Sequence, residues 1–453
     1  MKTLEDSAGS FTPAAHGRQS RLFISDSFAQ FWVAQTVSTL GAQVTAFAVP
    51  LLAAITLHAT SLQMGLLRAA EFAPFLVFTL PAGVWADYGI RRSLMIAANL
   101  IRGVFITAVP LAVFLGWMHL GVLYLVMFIM GSLKTVFEMA YQTYVPEIVP
   151  RERLVNANSK IMMSYALGQS VGPGFGGIMV ELLGAPMAVL TDATTYFLSA
   201  ICLFKIKHRE VRTRLQRESI FRQIGGGFRF VADQQHIRSL LWLVTANNFF
   251  QNAVMAILVL YATRELGIRP GLFGITVSVG GLGAVMGAFG AEQLGRRFGP
   301  GPFVVFSTTV VAVAALCFPL IHSGDPLGVI ALAAAYFVLS AGNSSITVFA
   351  WTIRQTLTPS AVLGRMNGAF RFLVTGIMPF GAFFGGWLGE TIGIRPTLMV
   401  SGLALVLIAA SGRFTPLMRL KSLVMKEPAA EPVENPGALP RLRGRGEQGD
   451  IIG

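Results

Sequence analysis

Charge is scarce in this sequence. Asp, Glu, Lys and Arg make up 13% of its 453 residues, about half the share usual in a soluble domain. With 54% hydrophobic residues, that excludes a string of ordinary water-soluble domains. Cysteine is rarer still. Cys202 and Cys317 both fall inside apolar runs, so they read as small apolar fillers and not as a disulfide framework. The six histidines (His16, His58, His119, His208, His236 and His322) lie in or beside loops at unrelated positions, so no metal site is expected. No Gly-x-x-x-x-Gly-Lys-Ser/Thr loop occurs, which leaves nothing to cradle nucleotide phosphates. The apolar runs hold no paired-Asp, His-rich or serine constellation, so neither an enzyme nor a cofactor is expected. Residues 1–20 are polar and lack the apolar core of a secretory signal.

What fills the chain is long apolar runs. Crossing a bilayer takes about 20 such residues. Twelve runs qualify: 27–56, 62–86, 93–115, 120–144, 160–182, 186–206, 238–263, 271–294, 302–321, 328–352, 367–389 and 396–416. An all-α polytopic membrane protein follows, with the lipid bilayer as its partner. Several runs exceed 20 residues and are expected to tilt or kink. Lys and Arg fall on one side of the alternation. If both termini are inside, the outer loops carry only Arg264, Arg269 and Arg395. The inner loops carry Arg91, Arg92, Arg151, Arg153, Arg296, Arg297 and the cluster from Lys205 to Arg238. That bias predicts cytoplasmic termini in the inner membrane and accounts for the net charge of +13. The basic residues are spread over loops and not gathered on one face, so nucleic acid is not an expected partner.

The chain divides near its middle. Residues 1–24 form a cytoplasmic segment, 25–206 a first six-span bundle, 207–237 a linker, and 238–418 a second six-span bundle. Residues 419–453, rich in Pro, Gly and charge, form a tail expected to be disordered. In the linker Ile220, Phe221, Ile224, Phe228 and Val231 recur at helical spacing. That predicts a basic amphipathic helix at the inner membrane surface, weakened by Gly225, Gly226 and Gly227. The two bundles repeat. "GPGFGGIMVELLG" (172–184) aligns with "GAFFGGWLGETIG" (381–393) at an offset of 209, placing Gly177 on Gly386 and Glu181 on Glu390. The same offset puts Asn158 on Asn367, and "QTYVP" (142–146) matches "QTLTP" (355–359) once four residues are skipped. Two pseudo-symmetric six-span halves with parallel repeats are one transporter layout.

The fifth span is crowded with residues that weaken helices. Gly168, Gly172 and Gly176 fall at i, i+4 and i+8, a strip that lets another helix approach closely. Pro173 removes a backbone donor and favours a kink. In lipid such an interruption must be satisfied by neighbours. The strip is either a tight crossing alone or a contact that sets how two halves rock. "GQSVGPGFGG" (168–177) resembles the antiporter signature of the major facilitator superfamily, Gly168, Gly172, Pro173, Gly176 and Gly177 standing at every fixed position. "GVWADYGIRR" (83–92) resembles that superfamily's loop signature at Gly83, Asp87, Arg91 and Arg92, and departs from it at Tyr88 and Ile90. "AYQTYVPEIVPRERLVNANSK" (140–160) and "RQTLTPSAVLGRMN" (354–367) look like the transmembrane secretion effectors, a branch similar to the enterobactin and macrolide exporters. The resemblance covers roughly residues 25–415 and implies the major facilitator fold. It also implies that Asp87 meets the N-terminus of helix 11 and holds the cytoplasmic side closed, with Arg91 and Arg92 extending that network. The positive-inside rule alone also accounts for the two arginines.

Polar residues inside the spans are uneven. Span 1 holds Gln35, Ser38, Thr39 and Gln43. Span 4 holds Lys134, Glu138 and Gln142, span 7 Asn247, Asn248, Gln251 and Asn252, and span 10 Asn343, Ser344 and Ser345. Spans 9 and 12 hold almost nothing beyond hydroxyls. In the resembling family helices 1, 4, 7 and 10 line the central cavity. Candidate substrate contacts are therefore Gln35, Ser38, Arg68, Lys134, Gln142, Asn248, Gln251, Asn252 and Asn343. Arg68 and Glu71 are three apart, and Lys134 and Glu138 four apart, so each couple shares a helical face. Each is either a self-neutralising ion pair or the site of a titrating acid. Asp192 has no partner nearby in sequence. Glu71, Glu138 and Asp192 are the candidates for proton coupling. The expected function is a proton-coupled exporter of an amphipathic drug, secondary metabolite or siderophore, acting as a monomer on a small-molecule substrate. An importer or facilitator of a small nutrient on the same scaffold is the alternative.

Overall fold

A computed structural model describes residues 26–88, 91–206 and 220–420. The expected N-terminal segment, the first part of the linker and the tail beyond Leu420 lie outside that set. The described residues form fourteen α-helices: α1 (Asp26–Leu51), α2 (Ser61–Tyr88), α3 (Arg91–Phe114), α4 (Leu120–Ile148), α5 (Leu154–Leu183), α6 (Ala185–Lys205), α7 (Ile220–Asp233), α8 (Gln235–Leu260), α9 (Pro270–Phe298), α10 (Pro300–Cys317), α11 (Pro326–Leu357), α12 (Ser360–Gly376), α13 (Met378–Ile392) and α14 (Ile394–Gly412). All but α7 belong to crossings, and α12 with α13 makes one crossing interrupted at Ile377. Pro379 stands in the first turn of α13, where its missing N–H removes a rung of the ladder and breaks the helix.

The helices alternate in direction, giving twelve crossings in two six-helix halves, the major facilitator fold. Ten crossings are apolar and long enough to span a bilayer by composition. The other two, α2 and α5, are the helices that reach across to the second half. α5 packs on α9, and α2 packs on α13. The other heavily packed pairs lie within a half: α1 with α5 and α6, α3 with α4 and α6, α8 with α13 and α14, and α11 with α9 and α10. The outer surface carries bare apolar side chains such as Phe289 at 80% exposure, which suits a lipid-facing belt.

The offset of 209 is built into the backbone. α1 ends in a π-turn at Leu52–Thr56, and α8 ends in one at Tyr261–Glu265. Each is closed by the same long hydrogen bond, from Ala59 N to the Ala53 carbonyl and from Ile268 N to the Ala262 carbonyl, both 2.9 Å. Gly184 and Gly393 each turn the chain in a single residue, with φ of 83° and 92°, angles that favour glycine.

The linker helix α7 lies on α12. Gly227, expected to weaken it, allows that contact: a Cβ there would fall 2.3 Å from the Arg365 carbonyl. Phe228 meets Phe372 edge-on at 6.3 Å, and Val231 is buried.

Candidate functional site

The interface between the halves is sealed at one end. That end is where α2 and α9 begin and α5 and α13 finish. A Cβ on Gly177 would stand 2.6 Å from the Pro270 carbonyl oxygen and 2.9 Å from Gly274 Cα, so the α5 and α9 backbones are in contact. The pseudo-equivalent seam repeats it. A Cβ on Gly386 would stand 2.7 Å from both Gly65 Cα and the Ser61 carbonyl oxygen. Two carboxylates clip the seams. Glu181 Oε2 accepts from Gly271 N at 2.9 Å, and Glu390 Oε2 accepts from Leu62 N at 3.2 Å. Each acid caps the start of a helix of the opposite half, where free N–H groups favour negative charge. Gly65, Leu62 and Ser61 are carried onto Gly274, Gly271 and Pro270 by the same offset of 209. Arg264 adds a link without a counterpart, donating to the Ala54 carbonyl at 2.8 Å, inside the first π-turn.

The strip of Gly168, Gly172 and Gly176 has a different neighbour. These three glycines share a face, and that face packs on α1 of the same half. A Cβ on Gly172 would lie 2.4 Å from Gln43 Cβ, and one on Gly176 3.3 Å from Val44 Cα. The cross-half contact belongs to the adjacent face, Gly174 and Gly177. Pro173 sits in an unbroken α5.

Two spaces lie between the halves away from the α5–α9 seam itself. The smaller, about 270 Å³, is walled by Gln43, Phe47, Arg68, Glu71, Met127, Pro173, Met255 and Tyr336 among others. The larger, about 850 Å³, runs along α2, α4, α5, α8, α11 and α12 to tips away from the seams, at Pro146, Leu154 and Gly364. Its wall mixes amides (Gln142, Asn158, Asn247, Asn248, Asn343 and Asn367) with Phe75, Tyr141, Trp351 and Phe370. Amides in an apolar wall suit an amphipathic ligand. Asn247 donates to Asn343 Oδ1 at 3.3 Å and Asn248 to the Val374 carbonyl at 3.2 Å. These bonds tie α8 to α11 and α12.

Among the described residues neither charged couple read from sequence spacing forms an ion pair along its own helix. Glu138 pairs across the halves with Arg371, at 2.6 Å. Lys134 is solvent- or lipid-exposed. Arg68 donates through Nε to Asn252 Oδ1 at 3.2 Å, also across the halves, and its guanidinium lies over Phe72. Glu71 and Arg68 both remain in the wall of the smaller space. Asp192 is fully buried, lies in neither wall, and accepts from Thr195 at 3.0 Å. A Cβ on Gly41 would come within 2.5 Å of Asp192 Oδ1, which places this acid against α1 inside the first half. Ser38 is buried in α1, Gln35 donates to Thr39 at 3.4 Å, and neither they nor Gln251 joins either wall.

At the end away from the seams, Arg91 pairs with Glu147. Arg92 donates to the Leu203 and Phe204 carbonyls that close α6, a cation at a helix C-terminus. For Gly83 and Asp87 only the helical backbone of α2 is described. Spacing did not single out Arg354, Asn367 or Trp351, which stand in the large wall. The repeat offered a signal: the "QT" match sets Arg354 opposite Tyr141, another residue of that wall.

Residues 21–438 match the family model described as transmembrane secretion effector. A multidrug efflux pump, Tap, of Mycolicibacterium fortuitum is 27% identical over 382 residues, spanning 82% of this chain and 91% of the relative. The enterobactin exporter EntS of Salmonella typhimurium (strain LT2) is 26% identical over 385 residues, spanning 84% and 90%. The fold is similar to the crystal structure of a bacterial homologue of the iron transporter ferroportin in an inward-facing state. The TM-score is 0.68 at 16% identity, over 87% of this chain and 98% of that one.

Proposed function

The chain belongs to the transmembrane secretion effector family of the major facilitator superfamily, and from that premise we propose that it is a proton-coupled antiporter. Its work is to export an amphipathic small molecule (a drug, secondary metabolite or siderophore) by alternating access. One observation carries this reading. The same interface is sealed by paired glycine seams at one end and holds an 850 Å³ space reaching the other. A molecule entering that space could leave on the far side only if the halves tilt and the seams part. The relatives named as an efflux pump and an exporter support the outward direction.

The basic residues at the tips of the large space favour placing it on the cytoplasmic side of the inner membrane, with both termini cytoplasmic. Without a nucleotide loop, energy comes from an ion gradient, and the proton is the coupling ion. Glu138 and Glu71 are the acids placed to carry it. Glu138 sits in a cross-half ion pair, where gain of a proton would release Arg371. Glu71 lies beside Arg68 in the smaller space. Asp192, packed inside one half, is the third candidate. One chain contains the whole pathway, so a monomer suffices.

Cells lacking the protein should accumulate more of at least one toxic compound in a broad screen. Inside-out vesicles with an acidified interior should concentrate that compound. No difference across the screen overturns the exporter reading. Uptake confined to right-side-out vesicles supports an importer or facilitator of a small nutrient instead.

A further inference from the structure

Among the described residues, two guanidiniums stand in the wall of the large space and no carboxylate does. Among the described residues Arg354 and Arg371 are its only charged members. Arg371 is neutralised by Glu138 at 2.6 Å. Among the described residues no acid lies within ion-pair distance of Arg354. Its side chain is 5% exposed and lies between two rings, 4.6 Å from the centre of Trp351 and 4.2 Å from that of Phe370. Nε donates to the Ala350 carbonyl at 2.9 Å and Nη1 to Asn367 Oδ1 at 3.1 Å. A guanidinium has five N–H donors in a planar fork, so most of its capacity is uncommitted. Among the described residues Nη2 has no hydrogen-bond partner, and Arg354 lines the space.

The plainest account of Arg354 is electrostatic: the last turn of α11 offers partial negative charge, and the two rings offer their faces. That account explains why the cation is tolerated. It does not explain why a residue so fixed faces a cavity lined by amides and free of acids. A pre-oriented guanidinium fork is the geometry that receives a carboxylate or another planar acid.

We infer that Arg354 anchors an acidic group on the transported molecule, whose apolar body lies against Trp351, Phe370, Ile346 and Val374. The ligand class is an amphipathic organic anion. Asn367 and the two rings are positioning residues that fix the fork. This inference rests on the transport reading and narrows its substrate class. The same acid chemistry could come from a lipid headgroup entering the open tips, and the experiment separates the two.

Full-length protein in phosphatidylcholine nanodiscs is titrated with 2-naphthoate and with 2-naphthamide, which has the same shape and no charge. The wild type is expected to bind the acid at least tenfold more tightly than the amide. R354Q should bring that ratio to within twofold whatever its absolute affinity for the amide, and R354K should fall between. Amide binding reports that a variant is folded. If R354Q does not fold, the wild-type ratio and R354K decide. Equal wild-type affinities, or an unchanged ratio in R354Q, would overturn the assignment. Repeating the titration with phosphatidylglycerol assigns the acid to lipid if naphthoate is displaced and to a solute if it is not. Acid-selective binding without export in vesicles sinks the export reading and leaves this site standing. Export of a neutral compound with no acid selectivity does the reverse.

Discussion

Adding one methyl group to a seam should open the sealed end. In Gly177→Ala the new Cβ would sit 2.6 Å from the Pro270 oxygen and 2.9 Å from Gly274 Cα, where ordinary contact begins at 3.4 Å. Both neighbours are backbone, so no side chain can swing away, and α5 and α9 must part by roughly 0.8 Å. Overpacking of this kind costs about 1–3 kcal/mol. The cost falls only on the state in which the seam is closed. It should therefore multiply the population open at that end by about 5- to about 140-fold. A state at about 1% occupancy, ordinary for a minor conformer, would become readily visible. Spin labels can read this at Leu183 and Leu327, exposed positions on opposite halves near the seams, after Cys202 and Cys317 are replaced. The long-distance fraction should rise in Gly177→Ala and rise similarly in Gly386→Ala. Gly290→Ala, on the same helix α9 but facing open space, should leave it unchanged. A Gly177→Ala distribution identical to wild type, or one matched by Gly290→Ala, would refute the seam as the gate.

Other perturbations separate the parts. Glu181→Ala and Glu390→Ala each strip a helix start of its acceptor. At these exposed sites each should cost the sealed state about 0.5–1 kcal/mol. The open-to-closed ratio should rise about two- to fivefold for each and by the product of the two for both, and a departure from the product would tie the two clips together. Glu138→Gln removes the counter-charge of Arg371. It should cut proton-driven uptake into inside-out vesicles at least tenfold, with partial recovery when Glu138→Arg is combined with Arg371→Glu. Undiminished driven uptake would remove Glu138 from the coupling acids. Gly172→Val pushes a side chain into Gln43, 2.4 Å from where its Cβ must lie. Because that contact is inside one half, it should lower the thermal unfolding midpoint without moving the opening equilibrium, and a shift in opening would contradict the division made here.

The crossings were legible because each is a long apolar run bounded by turn residues. The fourth, expected over 120–144, is Leu120–Ile148, and the fifth, expected over 160–182, is Leu154–Leu183. The fourth stops four residues early and the fifth starts six residues late, since a helix continues past the hydrocarbon into polar sequence that hydropathy ignores. Side-chain partnerships were less legible. Spacing set Lys134 beside Glu138, and helical spacing does make neighbours, but it cannot see the helix opposite. In the fold an arginine 233 positions away reaches Glu138 instead. In the sequence Arg354 is one more basic residue just past the run at 328–352. Its meaning depends on Trp351, Phe370 and Asn367 converging from α11 and α12, which no local pattern announces.

What the offset of 209 preserves, and what it does not, divides the molecule by role. The seams, clips, π-turns and single-glycine turns are duplicated: Gly65 with Gly274, Gly177 with Gly386, Glu181 with Glu390, Leu52–Thr56 with Tyr261–Glu265, Gly184 with Gly393. The charges between the halves are not. Arg68 and Glu71 fall on Val277 and Gly280, and the "QT" match sets Arg354 against Tyr141 and Glu138 against Trp351. A rocking motion about a pseudo-two-fold axis needs matching contacts on both flanks, because unequal seams would tilt one helix pair before the other. Recognition has no such need, since a small ligand with one acidic end has no two-fold symmetry to match. Lesions in the two seams should therefore be interchangeable in effect, and lesions at Arg354 and Tyr141 should not. If exchanging a defect between Gly177 and Gly386 changed its consequence while exchanging one between Arg354 and Tyr141 did not, the repeat would have to serve the ligand and not the hinge.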